Sequence, residues 1–259
     1  METVKFYCIN LARRPDRWKN CLEEANRNGF SIERVEAIDA QDESVHPDLN
    51  KMPSKGPVGN MSLSTRACTK SHMKAWETFL ESGDQFAVFL EDDFIASKST
   101  KDIIISLSKM SKPLDVVKLC TLPERKKKKI LAKREVNVPE IGRSIYKVES
   151  LFVGAFGYAL SRRAAQRAHG LAESSSLPVD HFLFNPQRGK RTLGLTIHLV
   201  EPCIITLDEA ASSDIGNNRT TGSRFLMHIR RGFYELGSFR AALPGIISGS
   251  TRVIEPRFI

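Results

Sequence analysis

The segment that most constrains the fold is the continuous apolar run Phe86-Ala87-Val88-Phe89-Leu90. Such a run, without polar alternation, is typical of a strand that is covered on both faces. Covering both faces requires a layer of helices on each side of the sheet. The run therefore predicts an α/β fold in which this strand lies inside the sheet.

Predicted strands alternate with predicted helices along most of the chain. Further strands are predicted at 4–9, 30–38, 115–119 and 195–200, with strand and turn structure at 146–160, and helices at 15–28, 64–81, 100–110 and 162–169. This alternation predicts a Rossmann-type α/β fold with a mostly parallel central sheet, in which ligands bind beyond the carboxyl ends of the strands. Polar residues 39–62 are predicted to form a long surface loop.

The chain carries a formal net charge of +9, which favours anionic partners such as nucleic acid, acidic lipid or phosphorylated sugars. The same charge is also compatible with solubility alone. No basic stripe interleaved with aromatic residues is present, so a nucleic-acid partner is not expected. The five cysteines are widely spaced without a CxxC pair, which predicts buried thiols in a reducing compartment.

Localisation is predicted from the ends of the chain and from its basic segments. Residues 4–9 follow the first methionine directly, without a signal peptide, and no apolar stretch approaches the roughly 18 residues of a spanning helix. We therefore expect a cytoplasmic protein. The basic run 124–134 and an amphipathic basic helix at 224–240 favour peripheral contact with the anionic inner face of the cell membrane. We divide the chain into a main domain, 1–222, and a C-terminal basic amphipathic helix and tail, 223–259.

The acidic triplet Glu91-Asp92-Asp93 directly follows the apolar strand. Three adjacent carboxylates repel one another at a buried strand end, and a divalent cation removes that repulsion. Mg²⁺ or Mn²⁺, held by one or two carboxylates with water and phosphate oxygens, fits this pattern. The alternative is an acidic turn that faces water.

Other polar residues allow both a functional and a structural interpretation. Arg13, Arg14 and Arg17 flank the first strand-to-helix turn, where they could bind phosphate or only begin a solvated helix. His72 shares a helical face with Trp76 and is more typical of a packed histidine.

Asp180, in Pro178-Val179-Asp180, could deprotonate a hydroxyl or could be a helix N-cap or first-turn residue. Asp214 and Arg219 lie in a polar loop with the same ambiguity. Elsewhere, Gly154 and Gly157 are expected to permit close backbone approach, and Ser161 to cap the following helix.

Taken together, the motifs resemble those of glycosyltransferase family 25, which includes bacterial lipooligosaccharide galactosyl- and glucosyltransferases. The motifs that carry the resemblance are Ile9-Asn10-Leu11 with Arg14 and Arg17, Glu36-Ala37-Ile38-Asp39-Ala40, Cys68-Thr69-Lys70-Ser71-His72 with Trp76, Leu90-Glu91-Asp92-Asp93, Gly154-Ala155-Phe156-Gly157-Tyr158, Pro178-Val179-Asp180, and Ser213-Asp214-Ile215 with Arg219. Two departures are Ser64-Thr65-Arg66, where a Gly-Glu pair is expected, and the basic run 125–134.

The resemblance implies a GT-A-like nucleotide-sugar-binding fold and a metal-dependent hexosyltransferase. It implies transfer of galactose or glucose from a UDP-sugar, with inversion, to a lipid-linked lipopolysaccharide or lipooligosaccharide core acceptor. Mn²⁺ or Mg²⁺ would be bound by Asp93 and Glu91, and Asp180 would be the catalytic base. The implied donor-binding residues are Asn10, Leu11, Arg14, Arg17, His72, Glu91 and Asp92. The alternative is a non-catalytic module on the same fold that binds anionic glycan or membrane.

Overall fold

The computed structural model describes residues 4–110, 114–123, 129–138, 142–186, 193–208, 240 and 242–259. The strands, in chain order, are β1 (Lys5–Asn10), β2 (Glu33–Glu36), β3 (Lys55–Gly56), β4 (Gly59–Asn60), β5 (Phe86–Glu91), β6 (Phe94–Ala96), β7 (Val116–Lys118), β8 (Ile130–Val138), β9 (Arg143–Val148), β10 (Gly157–Ser161), β11 (Ile197–Glu201), β12 (Ile205–Leu207) and β13 (Arg252–Ile254). The helices are α1 (Pro15–Arg27), α2 (His46–Leu49), α3 (Leu63–Ser82), α4 (Thr100–Ser108), α5 (Arg162–Ala172) and α6 (Val179–Leu183), with a 3₁₀ turn at Glu43–Val45. Residues 242–247 are also helical.

Strand β5 contains the apolar run and lies inside the main sheet, between β1 and β10. Its side chains alternate between two cores. Ala87 and Phe89 pack in the core that contains buried residues of α3 and α5. Val88 and Leu90 pack in the core that contains buried residues of α1 and α4. The predicted coverage of both faces is confirmed.

The main sheet has the strand order β13-β8-β9-β11-β7-β10-β5-β1-β2. The parallel pairs are β1–β2, β1–β5 and β7–β11. The antiparallel pairs are β5–β10, β7–β10, β9–β11, β8–β9 and β8–β13. The α/β class is confirmed, but the expected parallel arrangement holds chiefly for β2-β1-β5. Parallel neighbours need a crossover connection, whereas β8 is followed closely in sequence by β9 and pairs with it antiparallel.

Serine N-caps begin helices α3 and α5, and a glycine ends α3. The Ser62 hydroxyl accepts a hydrogen bond from the Thr65 N–H (3.2 Å) at the start of α3, and Gly83, at φ +82°, ends that helix. The Ser161 hydroxyl accepts from the Ala164 N–H (3.1 Å), so the predicted cap of α5 is confirmed. Such caps satisfy N–H groups that have no partner within the helix.

The predicted long loop at 39–62 is wrong. This segment contains the 3₁₀ turn, α2 and the β3–β4 hairpin. Leu49, Met52 and Met61 are buried, and a Cβ at Gly56 would lie 1.8 Å from the Ser176 carbonyl oxygen. The polar and glycine-rich composition therefore reflects tight turns that pack against the body of the protein.

The basic run and the C-terminal tail are only partly within the described residues. The run enters β8, whose exposed Lys133 and Arg134 belong to the main sheet. The predicted helix at 224–240 lies outside the described residues apart from Arg240, so the division at 222 stays a prediction. Strand β13 joins the sheet through β8. No helix in the described part of the chain is long and apolar enough to cross a membrane.

All five cysteines are free thiols, as expected from their spacing. Four of them are buried, and Cys68 is partly buried. The fold is therefore held by packing and hydrogen bonds without a disulfide.

Candidate functional site

The carboxyl ends of two parallel strands meet beside the acidic triplet. Strand β1 ends at Asn10 and β5 ends at Glu91, and Ile9 pairs in register with Glu91. Glu91 is the last residue of β5, Asp92 and Asp93 form the turn that follows, and the contacts of the triplet are divided between two sides of the sheet. Asp92 points toward α1, whereas Glu91 points toward α3.

Asp92 is buried in a charged network on the α1 side. One of its carboxylate oxygens accepts a hydrogen bond from the Arg17 guanidinium, and the other accepts from Asn10 Nδ2 at 2.6 Å. The Cys21 thiol donates to the Asp92 carbonyl oxygen at 3.4 Å. Burial raises the pKa of Asp92, and the effects of Asn10 and Arg17 oppose this shift only in part. These contacts support a structural role for Asp92.

Asn10 is also enclosed by polar partners. Its Oδ1 atom accepts two hydrogen bonds from the Arg34 guanidinium, at 2.6 and 3.0 Å. Its Nδ2 atom donates to Asp92 and to the Arg14 carbonyl oxygen. Arg34 was not predicted as a site residue, although a basic residue in the second strand was an available signal. The Leu11 carbonyl oxygen accepts from the same guanidinium at 3.3 Å.

Glu91 faces a buried hydrogen-bonded series on the α3 side. Its carboxylate lies 3.4 Å from His72 Nε2, and the other His72 nitrogen, Nδ1, lies 2.8 Å from the Tyr158 hydroxyl. Trp76 Nε1, which can only donate, reaches the same hydroxyl at 2.8 Å. The Tyr158 hydroxyl can donate its proton to Nδ1 or accept one from it, so this contact is compatible with either tautomer of the His72 ring. His72 thus lies between Tyr158 and Glu91, and its Nε2 atom has no hydrogen-bond partner among the described residues.

Cys68 completes a group of three possible metal ligands. Its sulfur, a His72 ring nitrogen and a Glu91 carboxylate oxygen lie within 4.8 Å of one another. Burial, followed by the negative charges of Glu91 and Asp180, raises the pKa of the Cys68 thiol well above its ordinary value.

Asp93 lies just beyond the end of β5 and is 22% exposed. Its Oδ2 atom is 3.4 Å from Arg17, while its Oδ1 atom is buried without a hydrogen-bond partner among the described residues. Burial and the charge of Glu91 raise the pKa of Asp93 to about 7, and Arg17 opposes that shift. An unsatisfied carboxylate oxygen beside a second carboxylate fits a hard divalent cation.

Asp180 lies in the first turn of α6, after the N-cap Pro178. Its two oxygens accept backbone hydrogen bonds, one from the His181 N–H at 2.8 Å and one from the Gly154 N–H at 3.0 Å. The side chain is partly exposed. The structural alternative for Asp180 is therefore realised, and one partly exposed carboxylate can still accept a proton.

The arginines at the first turn contact carboxylates. Arg13 Nε is 2.6 Å from Asp39, and the Arg14 guanidinium is 2.8 Å from Asp16. The hydrogen bond from Arg14 lowers the pKa of Asp16 to about 2. That Arg13, Arg14 and Arg17 bind phosphate stays a prediction. Asp214 and Arg219 lie outside the described residues.

Sequence reasoning missed Lys118, which ends β7. This lysine is fully buried, and its ammonium donates to the Gly154 carbonyl oxygen. The available signal was a lysine within the apolar strand Asp115–Leu119, a position that a charged residue rarely occupies.

Comparisons with known proteins were made for sequence and for structure. A search of curated proteins found no match. A glycosyltransferase involved in the glycosylation of the major capsid of PBCV-1 is similar in structure, with a TM-score of 0.43, 9% identity, and coverage of 91% of this chain and 100% of that one. A mannose-1-phosphate geranyltransferase from Thermus thermophilus gives a TM-score of 0.42, 10% identity, and coverage of 79% and 75%.

The family comparison covers most of the motifs described above. The model of glycosyltransferase family 25, described as an LPS biosynthesis protein family, matches residues 3–183. The matched part includes β1, the α3 motif, the acidic triplet and Asp180. The chain therefore belongs to glycosyltransferase family 25.

Proposed function

We propose that this family 25 protein is an inverting hexosyltransferase that uses a UDP-sugar, with galactose or glucose as the transferred sugar. The carrying observation is the unsatisfied Asp93 oxygen beside Glu91 at the carboxyl end of β5. In α/β proteins, ligands bind at this end of the strands. A GT-A-like donor site formed around the ends of β1 and β5 is consistent with that location.

Asp93 and Glu91 are the residues that would hold Mn²⁺ or Mg²⁺. When bound, the cation would neutralise charge on the diphosphate of the donor. Among the carboxylates of the triplet, Asp92 is engaged with Arg17 and Asn10, whereas Glu91 is 30% exposed. This difference supports Asp93 and Glu91 as the metal ligands.

The donor-binding residues would act at two levels. Arg14 and the backbone at Leu11 border the turn after β1 and would contact the nucleotide directly. Asn10, Asp92 and Arg17 would shape that turn, since their described contacts tie β1, α1 and β5 together. His72 would act through Glu91.

Asp180 would be the base in the transfer step. The acceptor hydroxyl oxygen forms a bond to the anomeric carbon while the bond from that carbon to the UDP oxygen breaks, and the hydroxyl proton passes to an Asp180 oxygen. One base is sufficient for this single displacement, which inverts the configuration. The backbone hydrogen bonds from Gly154 and His181 would hold the carboxylate in place.

The proposal is tested with a panel of UDP-sugars, first by slow hydrolysis and then by transfer to core oligosaccharide. We expect turnover of UDP-galactose or UDP-glucose that requires Mn²⁺ or Mg²⁺. Asp180→Asn should retain UDP binding and lose transfer by about a hundredfold or more, as for a lost general base. If UDP binding and transfer fall together, Asp180 is structural or binds the donor.

Thermal unfolding of the same protein distinguishes the transferase from the alternative, a non-catalytic binding module. UDP with Mn²⁺ should raise the melting temperature of an enzyme of this kind. Thermal protection by anionic glycan, without any UDP effect or turnover, would favour the binding module and contradict the transferase proposal.

We further propose that a lipid-linked core acceptor is reached at the cytoplasmic face of the membrane. Lys133 and Arg134, the last two residues of the basic run, are exposed on β8. Near an anionic bilayer each basic residue contributes roughly 1 kcal/mol, and salt weakens the attraction. Co-sedimentation should show binding to anionic vesicles at low salt only. Equal binding to anionic and neutral vesicles, or no binding, would contradict this proposal.

A further inference from the structure

Lys118 is a fully buried cation at the end of β7. Its ammonium lies 4.1 Å from the ring centroid of Phe184, 4.6 Å from that of Phe152 and 5.9 Å from that of Phe156. Within the described part of the chain, no carboxylate forms an ion pair with it. A buried ammonium is costly unless it is hydrogen-bonded or faces aromatic rings, and Lys118 has both kinds of contact. These contacts hold the ammonium at a defined position inside the protein.

The hydrogen-bond acceptor of Lys118 is the carbonyl oxygen of Gly154. Gly154 has a φ of +96°, a conformation that L side chains rarely adopt, and a Cβ at this position would lie 2.9 Å from the Phe156 ring. The residue is therefore restricted to glycine by its backbone and by its neighbour. The ammonium holds this loop in place by donating a hydrogen bond to its carbonyl oxygen.

The same glycine contacts the proposed base. The Gly154 N–H donates to Asp180 Oδ2 at 3.0 Å, while its C=O accepts from Lys118. Gly154 thus links the end of β7 to the first turn of α6. The other Asp180 oxygen accepts from the adjacent His181 N–H, so the Gly154 bond is the one that fixes the carboxylate relative to the sheet.

We propose that Lys118 is a positioning residue that sets the orientation of the Asp180 carboxylate through Gly154. The inference rests on the proposed role of Asp180 as the base. Lys118 is 0% exposed and would not contact the substrate. Small displacements of a reacting group can lower a rate by about a hundredfold. An orienting contact that acts through Gly154 is therefore expected to have a measurable effect on the rate of transfer.

A double-mutant cycle of Lys118→Met and Asp180→Asn tests the inference. Lys118→Met retains an unbranched apolar side chain and removes the ammonium. We expect it to lower kcat for transfer by about tenfold or more, with KM for the UDP-sugar and UDP affinity unchanged. In the Asp180→Asn background, Lys118→Met should cause no further loss, because the base that it orients is absent. The matched control is Lys70→Met, which removes a lysine of α3 that pairs with Asp48 and Glu173. It should leave kcat unchanged.

The possible failures are distinguishable. Equal fractional losses from Lys118→Met in both backgrounds would show a role independent of the base and overturn the inference, while the base assignment stands. Full transfer by Asp180→Asn would overturn the base assignment itself, and with it the premise of the inference. If Lys118→Met does not fold, as judged by its melting transition, the cycle is run with Lys118→Gln, for which the same non-additivity is expected.

Discussion

At the carboxyl end of β5, negative charge is balanced differently on the α1 side and on the α3 side of the sheet. On the α1 side, Asp92 is enclosed by Arg17 and Asn10, so its carboxylate is neutralised within the protein. On the α3 side, Glu91 lies near His72 and Cys68, neither of which carries a fixed positive charge, and its side chain is 30% exposed. Asp93, beyond the strand end, retains a buried oxygen without a partner among the described residues.

The comparison shows that adjacent carboxylates in one motif need not share a role. Glu91 ends β5 and contacts α3, whereas Asp92 in the following turn contacts α1. The arginine on α1 balances one of them, and the site is left with negative charge where an outside cation and its diphosphate ligand would bind. The α1 side is thus expected to contribute mainly to stability, and the α3 side and Asp93 mainly to activity.

The largest effect on stability is expected from Asp92→Asn. The substitution removes the negative charge from a buried ion pair with Arg17, and breaking such a pair costs about 3–5 kcal/mol. Urea unfolding measures this loss. The double variant Asp92→Leu with Arg17→Met should recover much of it, because the desolvation cost of both charges is removed. If Asp92→Asn lowers the free energy of unfolding by less than about 1 kcal/mol, the result would contradict the inference that Arg17 and Asn10 neutralise Asp92 within the protein.

Glu91→Gln should reverse this pattern. The substitution preserves shape but removes a charge that we assign to cation binding, so transfer should fall by about a hundredfold, as for other lost electrostatic contacts in active sites. The unfolding free energy should change by less than about 1 kcal/mol, because Glu91 is partly exposed. Turnover assays with parallel urea unfolding test both statements. A stability loss as large as that of Asp92→Asn would remove the distinction between the two sides.

The pH dependence of cation binding should depend on Asp93. Its pKa is raised from 3.8 to about 7, so its charged form is disfavoured in the folded protein, and its contribution to stability falls as the pH rises from about 4 to 7. A cation competes with that proton. Its apparent affinity should therefore rise with pH below about 7 and level off above it. Calorimetric Mn²⁺ titrations from pH 5.5 to 8.5 would show this curve, and in Asp93→Asn it should be absent. A flat wild-type curve contradicts the assignment.

The smallest effect is expected from Arg13→Ala. The Arg13–Asp39 pair lies at the surface, where ion pairs contribute about 0–1 kcal/mol. Thermal unfolding should detect little change, and KM for the UDP-sugar should stay within about twofold if Arg13 is only a surface residue. A large rise in KM would assign Arg13 to phosphate binding and extend the site along the α1 side.

The sequence predicted those features that local patterns encode. The apolar run located β5, Ser161 was identified as a helix cap, and the shared face of His72 and Trp76 matches their common contact with Tyr158. Strand β10 lies between β5 and β7 and is antiparallel to both. This arrangement depends on pairing between segments that are distant in sequence, which the periodicity of apolar residues cannot predict. The separation of Asp92 from Glu91 depends on the turn after β5 and on the position of Arg17, neither of which follows from the local sequence pattern.

The most direct test is calorimetric titration of UDP into wild type, Asp93→Asn and Asp92→Asn, with and without Mn²⁺, at a temperature at which all three are folded. Wild type and Asp92→Asn should bind UDP more tightly with Mn²⁺, whereas Asp93→Asn should show no Mn²⁺ effect and no sugar turnover. Unchanged Mn²⁺-dependent binding in folded Asp93→Asn, or its loss in Asp92→Asn alone, would contradict the division of the acidic triplet into a structural and a functional side.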